Sequence, residues 1–486
     1  MSAISGREYL ERMEKLKPSV WLKGQDISEN LLSHPVYKGA MQTKAALYDL
    51  QVEEKNISFM TFTSPYTQNR VGLSYLEPKS KEDLEKRRRM IECWAQATHG
   101  MMGRSPDYMN TALMSLSAAS SIVGVQDEEF SKNLRNMYET ALEEDLSFTH
   151  SFINPQVNRS SYYFEASKHP IALKVMKKTA GGLVLKGARL LATEGGMTDE
   201  VLIFPSGGNN LSDDYAFAFS IPANTPGLKF ICREPFFAGE SAFNYPLSSR
   251  FDEMDTILVF DNVLVPWERV FFYHRQDIAH RMFNQSGFIS HALHQVVTRQ
   301  TIKLQFLIGL SQLMITALEI SEFEHIQLKL SDMIIGLESM KGLLFKAEAE
   351  AAFDSFGTMT PSTHPLYAAV TLFSKLYPNC ISILQQIGAG GLMILPSEED
   401  FHSPIGSDIE QYMQGAAVDA KTKIKLFRLA WELTMSSFGT RQTHYERYFF
   451  GDPIRLAKNL YRGYSREQYI DSVKKFLHDT KERPQD

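Results

Sequence analysis

TILVFDNVLVPWERVFFY, residues 256–273, decides the class of fold. It is short, rich in Val, Ile and Phe, and broken by Asp261-Asn262 and by Pro266, so it reads as a strand that leaves its sheet through Pro266 and Trp267. Runs of the same texture lie upstream: GLVLKGARLLAT (182–193), EVLIFPS (200–206), YAFAFSIP (215–222) and LKFICREPF (228–236). Their spacing is too close for parallel strands joined by crossover helices. They predict a sheet domain over residues 147–275.

On both sides the apolar residues recur at helical spacing. GREYLERMEKL (6–16), HPVYKGAMQTKAALYDLQ (34–51) and SKEDLEKRRRMIECWAQATHG (80–100) predict helices, the last capped by Ser80 with Glu82 and Asp83 in its first turn. Helical spacing returns from Asp277 to about Ala430, and a polar tail runs from Asp452 to Asp486. The expected organisation is α+β and multidomain: helices over 1–146, strands over 147–275, helices and tail over 276–486. TIKLQFLIGLSQLMITALEI (301–320) is the most apolar window. Lys303, Gln305, Ser311, Gln312, Thr316 and Glu319 interrupt it too often for a membrane span. It carries one stripe through Leu304, Leu307, Ile308, Ile315 and Leu318 and a second through Phe306, Leu310, Leu313 and Ala317, which predicts a buried helix packed on two sides.

The 486 residues carry a formal net charge of -6, with no cationic excess for phosphates, so nucleic acid is not an expected partner. Cys93, Cys232 and Cys380 lie far apart without CxxC spacing, which argues against zinc or a disulfide framework and fits a reducing cytoplasm. The first residues contain acids and no apolar core, so no secretory signal is expected. GxGxxG, GxxxxGK[ST], GxSxG and HExxH are all missing, which removes the usual warrants for Rossmann, P-loop and hydrolase sites.

Two stretches concentrate chemistry. In HGMMGRSPDYMN (99–110), Arg104 and Tyr108 share a helix face if Pro106 occupies the first turn. A guanidinium fork and a phenol suit a phenolate or carboxylate oxygen, although a salt-bridged Arg104 and a packed Tyr108 would account for the same residues. In DLSFTHSFINPQVNRS (145–160), His150 falls where helical texture gives way to sheet, and Asn154, Gln156, Asn158 and Arg159 follow around Pro155. Domain junctions favour ligand sites, and such donors match flavin carbonyls or a diphosphate, whereas Asn and Gln beside Pro also simply stabilise turns. His150 is the strongest acid or base candidate, its ordinary pKa lying nearest neutrality. YPLSSRFDEMDTILVFDNVLVPWERV (245–270) reads mainly as architecture. In ISILQQIGAGGLMILPS (381–397), three glycines within four residues suggest a helix end and the close approach of another backbone or a phosphate.

Taken in order, MMGRSPDY (101–108), HSFINPQVNRS (150–160), KGARLLAT (186–193), residues 245–270, QQIGAGGLMILPS (385–397) and FGTRQTHYERYF (438–449) resemble the large oxygenase component of two-component 4-hydroxyphenylacetate 3-monooxygenases. The likeness spans nearly the whole chain. It implies an acyl-CoA-dehydrogenase-like fold with an N-terminal helical domain, a central β-barrel and a C-terminal helical bundle. It further implies reduced FAD delivered by a separate NAD(P)H-dependent flavin reductase, O2 captured as a C4a-hydroperoxyflavin, and ortho-hydroxylation of a phenol, 4-hydroxyphenylacetate foremost, in a cytoplasmic homotetramer. By the same resemblance Arg104, Tyr108 and His150 hold the phenolic oxygen, with His150 either a hydrogen-bond donor or a proton shuttle. His150, Ser151, Phe152, Ile153, Gln156, Val157, Asn158, Arg159, Thr193, Phe450, Gly451 and Asp452 touch FAD, Thr193 as a donor to the isoalloxazine edge, and Pro205 and Ser206 meet the substrate's acid tail. Relatives that act on phenol, chlorophenols or nitrophenols share this frame. A 4-hydroxybutyryl-CoA dehydratase needs clustered thiolates that three scattered cysteines do not supply. An acyl-CoA dehydrogenase needs a catalytic carboxylate that no Glu's setting singles out, and a helical scaffold would bind no flavin.

Overall fold

The computed structural model describes residues 2–155, 170–205, 213–237, 239 and 241–479. Helices begin where capping chemistry and apolar period coincide. Gly6–Leu16 starts on a capping box between Ser5 and Glu8. Ser80 caps Lys81–Ala97 by accepting from the Asp83 amide, with Glu82 and Asp83 in the first turn as the spacing predicts. Pro35 opens Pro35–Val52, and Pro106 opens Pro106–Ala118, which is buried almost throughout. Asp127 caps Glu128–Glu144, which ends on Asp145 in a left-handed conformation.

The amino-terminal segment is not wholly helical. It carries the strands β1 (Val20–Leu22) and β2 (Gln25–Asp26), and a small hairpin of β3 (Thr61–Thr63) and β4 (Arg70–Gly72). The central segment supplies β5 (Phe148–Ser151), β6 (Lys174–Thr179), β7 (Gly182–Thr193), β8 (Glu200–Ile203), β9 (Phe217–Pro222), β10 (Leu228–Cys232), β11 (Asp255–Pro266) and β12 (Val270–Tyr273). Among the described residues these form two open sheets, ordered β2-β1-β10-β11-β7-β6 and β12-β9-β8-β5. The expected closed barrel is therefore corrected to two sheets joined edgewise by a bridge between Ile153 and Leu190. The longest pairing, β7 with β11, runs from Thr193 opposite Asp255 to Gly182 opposite Pro266 and is bent by two register shifts. Between the sheets Phe204, Phe217, Phe219, Phe260 and Phe272 are buried in edge-to-face and stacked pairs. Each contributes about 1.5–3 kcal/mol of transfer free energy.

The carboxyl-terminal half is a bundle of long helices around Phe288–Ala317, with Glu324–Ala349, Thr363–Gly388, Ala420–Met435 and Ser437–Tyr448. Of the two stripes expected on residues 301–320, Leu304, Leu307, Leu310, Ile315 and Ala317 are buried, whereas Leu313 is 60% exposed. One face of this helix thus stays uncovered within a single chain. The expected polar tail folds as two amphipathic helices, Pro453–Gly463 and Glu467–Asp479. The clustered glycines make room for side chains: a Cβ on Gly388 would meet Leu392, and one on Gly391 would lie 2.8 Å from the Phe427 ring.

A buried ionic knot ties Ser437–Tyr448 to Phe288–Ala317. Glu446 accepts from Arg299 at 2.6 and 2.9 Å, from Lys303 at 2.7 Å and from Gln300 at 3.1 Å. Burial works to raise the Glu446 pKa, yet Arg299 and Lys303 hold it at about 2. Because the folded value lies below the ordinary carboxylate range, this stability is present above about pH 4.3 and is lost as pH falls toward 2. Glu446→Gln leaves two buried cations uncompensated and should lower the unfolding free energy by about 3–5 kcal/mol, read from urea denaturation at pH 7. An unchanged urea midpoint would contradict this account.

Candidate active site

Three parts of the fold converge on one cleft of about 250 Å³. Arg104 lies just ahead of Pro106–Ala118, and Tyr108 sits in that helix's first turn. His150 is on β5, paired in parallel with β8 so that it stands opposite Leu202. Phe152 and Ile153 continue the same strand direction, and Leu191 and Thr193 end β7. Asp255 opens β11 in register with Thr193. Helix Ser437–Tyr448 contributes Arg441, His444, Tyr445 and Tyr448, and Phe449 follows it.

The Arg104 guanidinium lies 4.4 Å over the Tyr108 ring and 4.2 Å over the Phe449 ring. One Nη donates to the Tyr445 hydroxyl at 2.8 Å, the backbone N–H donates to Glu253 at 2.6 Å, and Nε has no partner. The Tyr108 and His150 rings lie 5.8 Å apart and tilted by 38°, and Phe152 lies 4.5 Å from His150. Burial holds the His150 imidazole well below its usual pKa, and the Arg104 charge adds to the effect. Burial raises the Tyr108 phenol, with Arg104 pulling the other way. The cleft thus presents a permanent cation, a protonated phenol and a neutral imidazole around one hydrophobic space.

The opposite wall is set by a second buried ion pair. Arg441 grips Asp255 at 2.7 Å through Nε and again through Nη2, and Arg233 adds a contact at 3.1 Å. Burial would raise the Asp255 pKa, but Arg441 and then Arg233 hold it well below the carboxylate range. Thr193 donates its hydroxyl proton to this carboxylate at 2.8 Å. The expected donor is therefore spent, and Thr193 faces the cleft as an acceptor.

Residues 5–272 match the family model described as 4-hydroxyphenylacetate 3-hydroxylase N terminal, and residues 279–478 match its C-terminal counterpart. The chain belongs to that family. It is 51% identical over 478 residues to a probable 4-hydroxyphenylacetate 3-monooxygenase of Bacillus subtilis (strain 168), covering 98% of this chain and 99% of the relative. A solved oxygenase component of 4-hydroxyphenylacetate 3-monooxygenase, complexed with FAD and 4-hydroxyphenylacetate, superposes with a TM-score of 0.93 at 42% identity, over 98% of this chain and 99% of that one. An archaeal 4-hydroxybutyryl-CoA dehydratase superposes with a TM-score of 0.86 at 19% identity over 100% of this chain and 96% of that one, a likeness of fold alone.

Within this hydroxylase-family chain, Arg104, Tyr108, His150, Phe152, Ile153 and Thr193 line one cavity, as the resemblance groups them. Ser151 alternates to the other side of its strand and donates to the Leu190 carbonyl at 2.5 Å. Pro205 is buried just beyond β8, outside the cleft lining. Phe450 lines a separate cavity of about 370 Å³ with Tyr367, Arg455, Lys458 and Arg462. Gly451 precedes Asp452, which caps Pro453–Gly463 by accepting from Ile454 and Arg455. Gln156, Val157, Asn158, Arg159 and Ser206 lie outside the described residues. Sequence reasoning missed Asp255, read as architecture, and the whole set from 441 to 449. The signal was present: Arg441, Tyr445, Tyr448 and Phe449 recur at helical spacing within FGTRQTHYERYF.

Because His150 is buried neutral, its ring nitrogens should show no titration between pH 8 and 6 in 15N-resolved NMR of the selectively labelled protein. A midpoint near the ordinary 6.5 would contradict the buried neutral assignment.

Proposed function

We propose that the chain is the oxygenase component of a two-component flavin monooxygenase, hydroxylating a phenol ortho to its hydroxyl, with 4-hydroxyphenylacetate the foremost substrate and its 3,4-dihydroxy derivative the product. The observation that carries this reading is the meeting of Arg104, Tyr108 and His150 in one aromatic-walled cleft, in a chain of the hydroxylase family. Reduced FAD, supplied by a separate reductase, would furnish the two electrons by which one atom of O2 enters the ring and the other leaves as water.

The residues present fit that cofactor. Phe152, Ile153 and Leu191 offer flat and apolar walls, and Thr193, its own proton committed to Asp255, offers an acceptor for a ring N–H. Gln156, Val157, Asn158 and Arg159 belong to the same proposed flavin-binding set. The second cavity beside Phe450 gathers Arg455, Lys458 and Arg462, which suits the anionic half of a dinucleotide.

The substrate's phenolic oxygen would lie beside Arg104. A fixed cation in a poorly solvated cleft favours the phenolate, which enriches the ring carbon ortho to the oxygen. Tyr108, kept protonated by burial, donates to that oxygen. His150, kept neutral beside a guanidinium, is placed to accept the phenolic proton, which favours the proton-shuttle role over a donor role. The aromatic walls exclude water from the reacting ring.

A related phenol or nitrophenol hydroxylase is the alternative, decided by the segment around Pro205 and Ser206 that would meet the substrate's tail. The dehydratase reading is disfavoured because Cys93, Cys232 and Cys380 are free and sit on three separate elements. We assign the three segments 1–146, 147–275 and 276–486 as domains of an acyl-CoA-dehydrogenase-like fold, and a homotetramer in the cytoplasm. Support for assembly comes from the exposed apolar side chains Leu313, Phe323, Ile335 and Phe345 on the bundle. Among the described residues no helix is long and apolar enough to cross a membrane.

Arg104→Ala tests the reading. Charge-assisted hydrogen bonds contribute about 1.5–3 kcal/mol, so dihydroxy product should fall about 10–100-fold. Oxygen uptake with FADH2 should continue, the oxygen now recovered as hydrogen peroxide. Parallel loss of oxygen uptake and product would contradict the role.

A further inference from the structure

Two flat rings, Tyr108 and Phe449, set at 65° to each other with centroids 5.5 Å apart, flank the Arg104 guanidinium at 4.4 and 4.2 Å. Contacts of this kind hold the position of a guanidinium without selecting which of its N–H groups points where. The direction of the guanidinium decides which N–H groups meet an oxygen in the cleft. Only edge contacts can set it. They are the 2.8 Å bond from Nη1 to the Tyr445 hydroxyl and a longer 3.4 Å bond to the Gly103 carbonyl.

Tyr445 is itself held from several sides. Its ring stacks on Phe449 at 4.7 Å, and Arg299 and Arg441 flank it at 5.6 and 5.4 Å. Its neighbours on the helix bolt that helix to the segment carrying Arg104. Gln442 donates to the Met101 carbonyl at 3.0 Å, and Arg299, clamped by Glu446, donates to the Gly100 carbonyl at 2.8 Å. Gly103 completes the fit, because a Cβ there would lie 2.0 Å from the Tyr445 hydroxyl oxygen. The glycine leaves the space into which that hydroxyl reaches. Burial keeps the Tyr445 phenol protonated against the pull of Arg104 and Arg299, so its oxygen is a neutral acceptor that does not quench the Arg104 charge.

We infer that Tyr445 is a positioning residue for the hydroxylation: by accepting from Arg104 it sets the direction of the guanidinium, and so directs that charge at the substrate's phenolic oxygen. The inference rests on the function proposed above. Gly103 is part of the same device, since any larger residue displaces the hydroxyl.

The test uses full-length protein with 4-nitrophenol as an optical probe of ionisation, alongside turnover with 4-hydroxyphenylacetate, FADH2 and O2. Wild-type protein should lower the apparent pKa of bound 4-nitrophenol. Tyr445→Phe should raise that bound value by about one unit, a tenfold lower phenolate fraction. Its ratio of dihydroxy product to hydrogen peroxide should fall about tenfold, while Tm stays as in wild type. Gly103→Ala should reproduce the optical shift, and the double variant should be no worse than the poorer single, because both act through one contact. A folded Tyr445→Phe with the wild-type optical shift and product ratio overturns the positioning role alone. A wild-type protein that leaves the probe's pKa at its solution value overturns the functional reading and this role with it.

Discussion

The structure depends on a helix that is pinned from two directions by buried charge. On Ser437–Tyr448, Arg441 reaches the sheet through Asp255, and Glu446 reaches the long bundle helix through Arg299 and Lys303. Buried ion pairs are poor sources of net stability, since desolvation consumes most of the attraction. Their value here is geometric. Each pair is satisfied only when helix, sheet and the 100–104 segment stand in one arrangement, and that arrangement closes the cleft.

The electrostatics of the cleft follow from the same exclusion of water. Arg104 faces the cleft, and Glu253 meets it through the backbone N–H instead of neutralising its guanidinium. Burial keeps Tyr108 and Tyr445 protonated and His150 unprotonated. In the proposed function a bound phenol would meet a charge of opposite sign to its ionised form, a donor for its oxygen and an acceptor for its proton. None of these groups must change state before the substrate arrives, which is the condition for preorganised catalysis.

Much of this architecture is legible in the amino-acid sequence. The strands β7, β8, β9, β10 and β11 fall on the Val- and Phe-rich runs, and Ser80, Pro35 and Pro106 mark helix starts by capping and by φ restriction. Arg104, Tyr108 and His150 stand out because each has a chemistry that packing alone rarely demands in such company. What escapes is non-local. No spacing rule says that Asp255 faces Arg441, 186 positions away, or that Tyr445 sits on Arg104 across 341 positions. The barrel expectation fails for a related reason. Whether strands close into a ring depends on edge pairing between β5 and β7, where only an isolated bridge at Ile153 and Leu190 forms. The tail differs from its expectation because its apolar residues are few and one-sided, which suits two surface helices as well as a coil.

The central claim is that one small cleft, walled by Tyr108, Phe152 and Phe449, receives a phenol with its oxygen on Arg104, Tyr108 and His150. The most direct measurement is a crystal structure of the protein with reduced FAD and 4-hydroxyphenylacetate bound under anaerobic conditions. The account predicts the phenolic oxygen within hydrogen-bond distance of those three side chains and the isoalloxazine beside Thr193. A phenol ring seated elsewhere, or with its acid tail in place of its hydroxyl on Arg104, would contradict it.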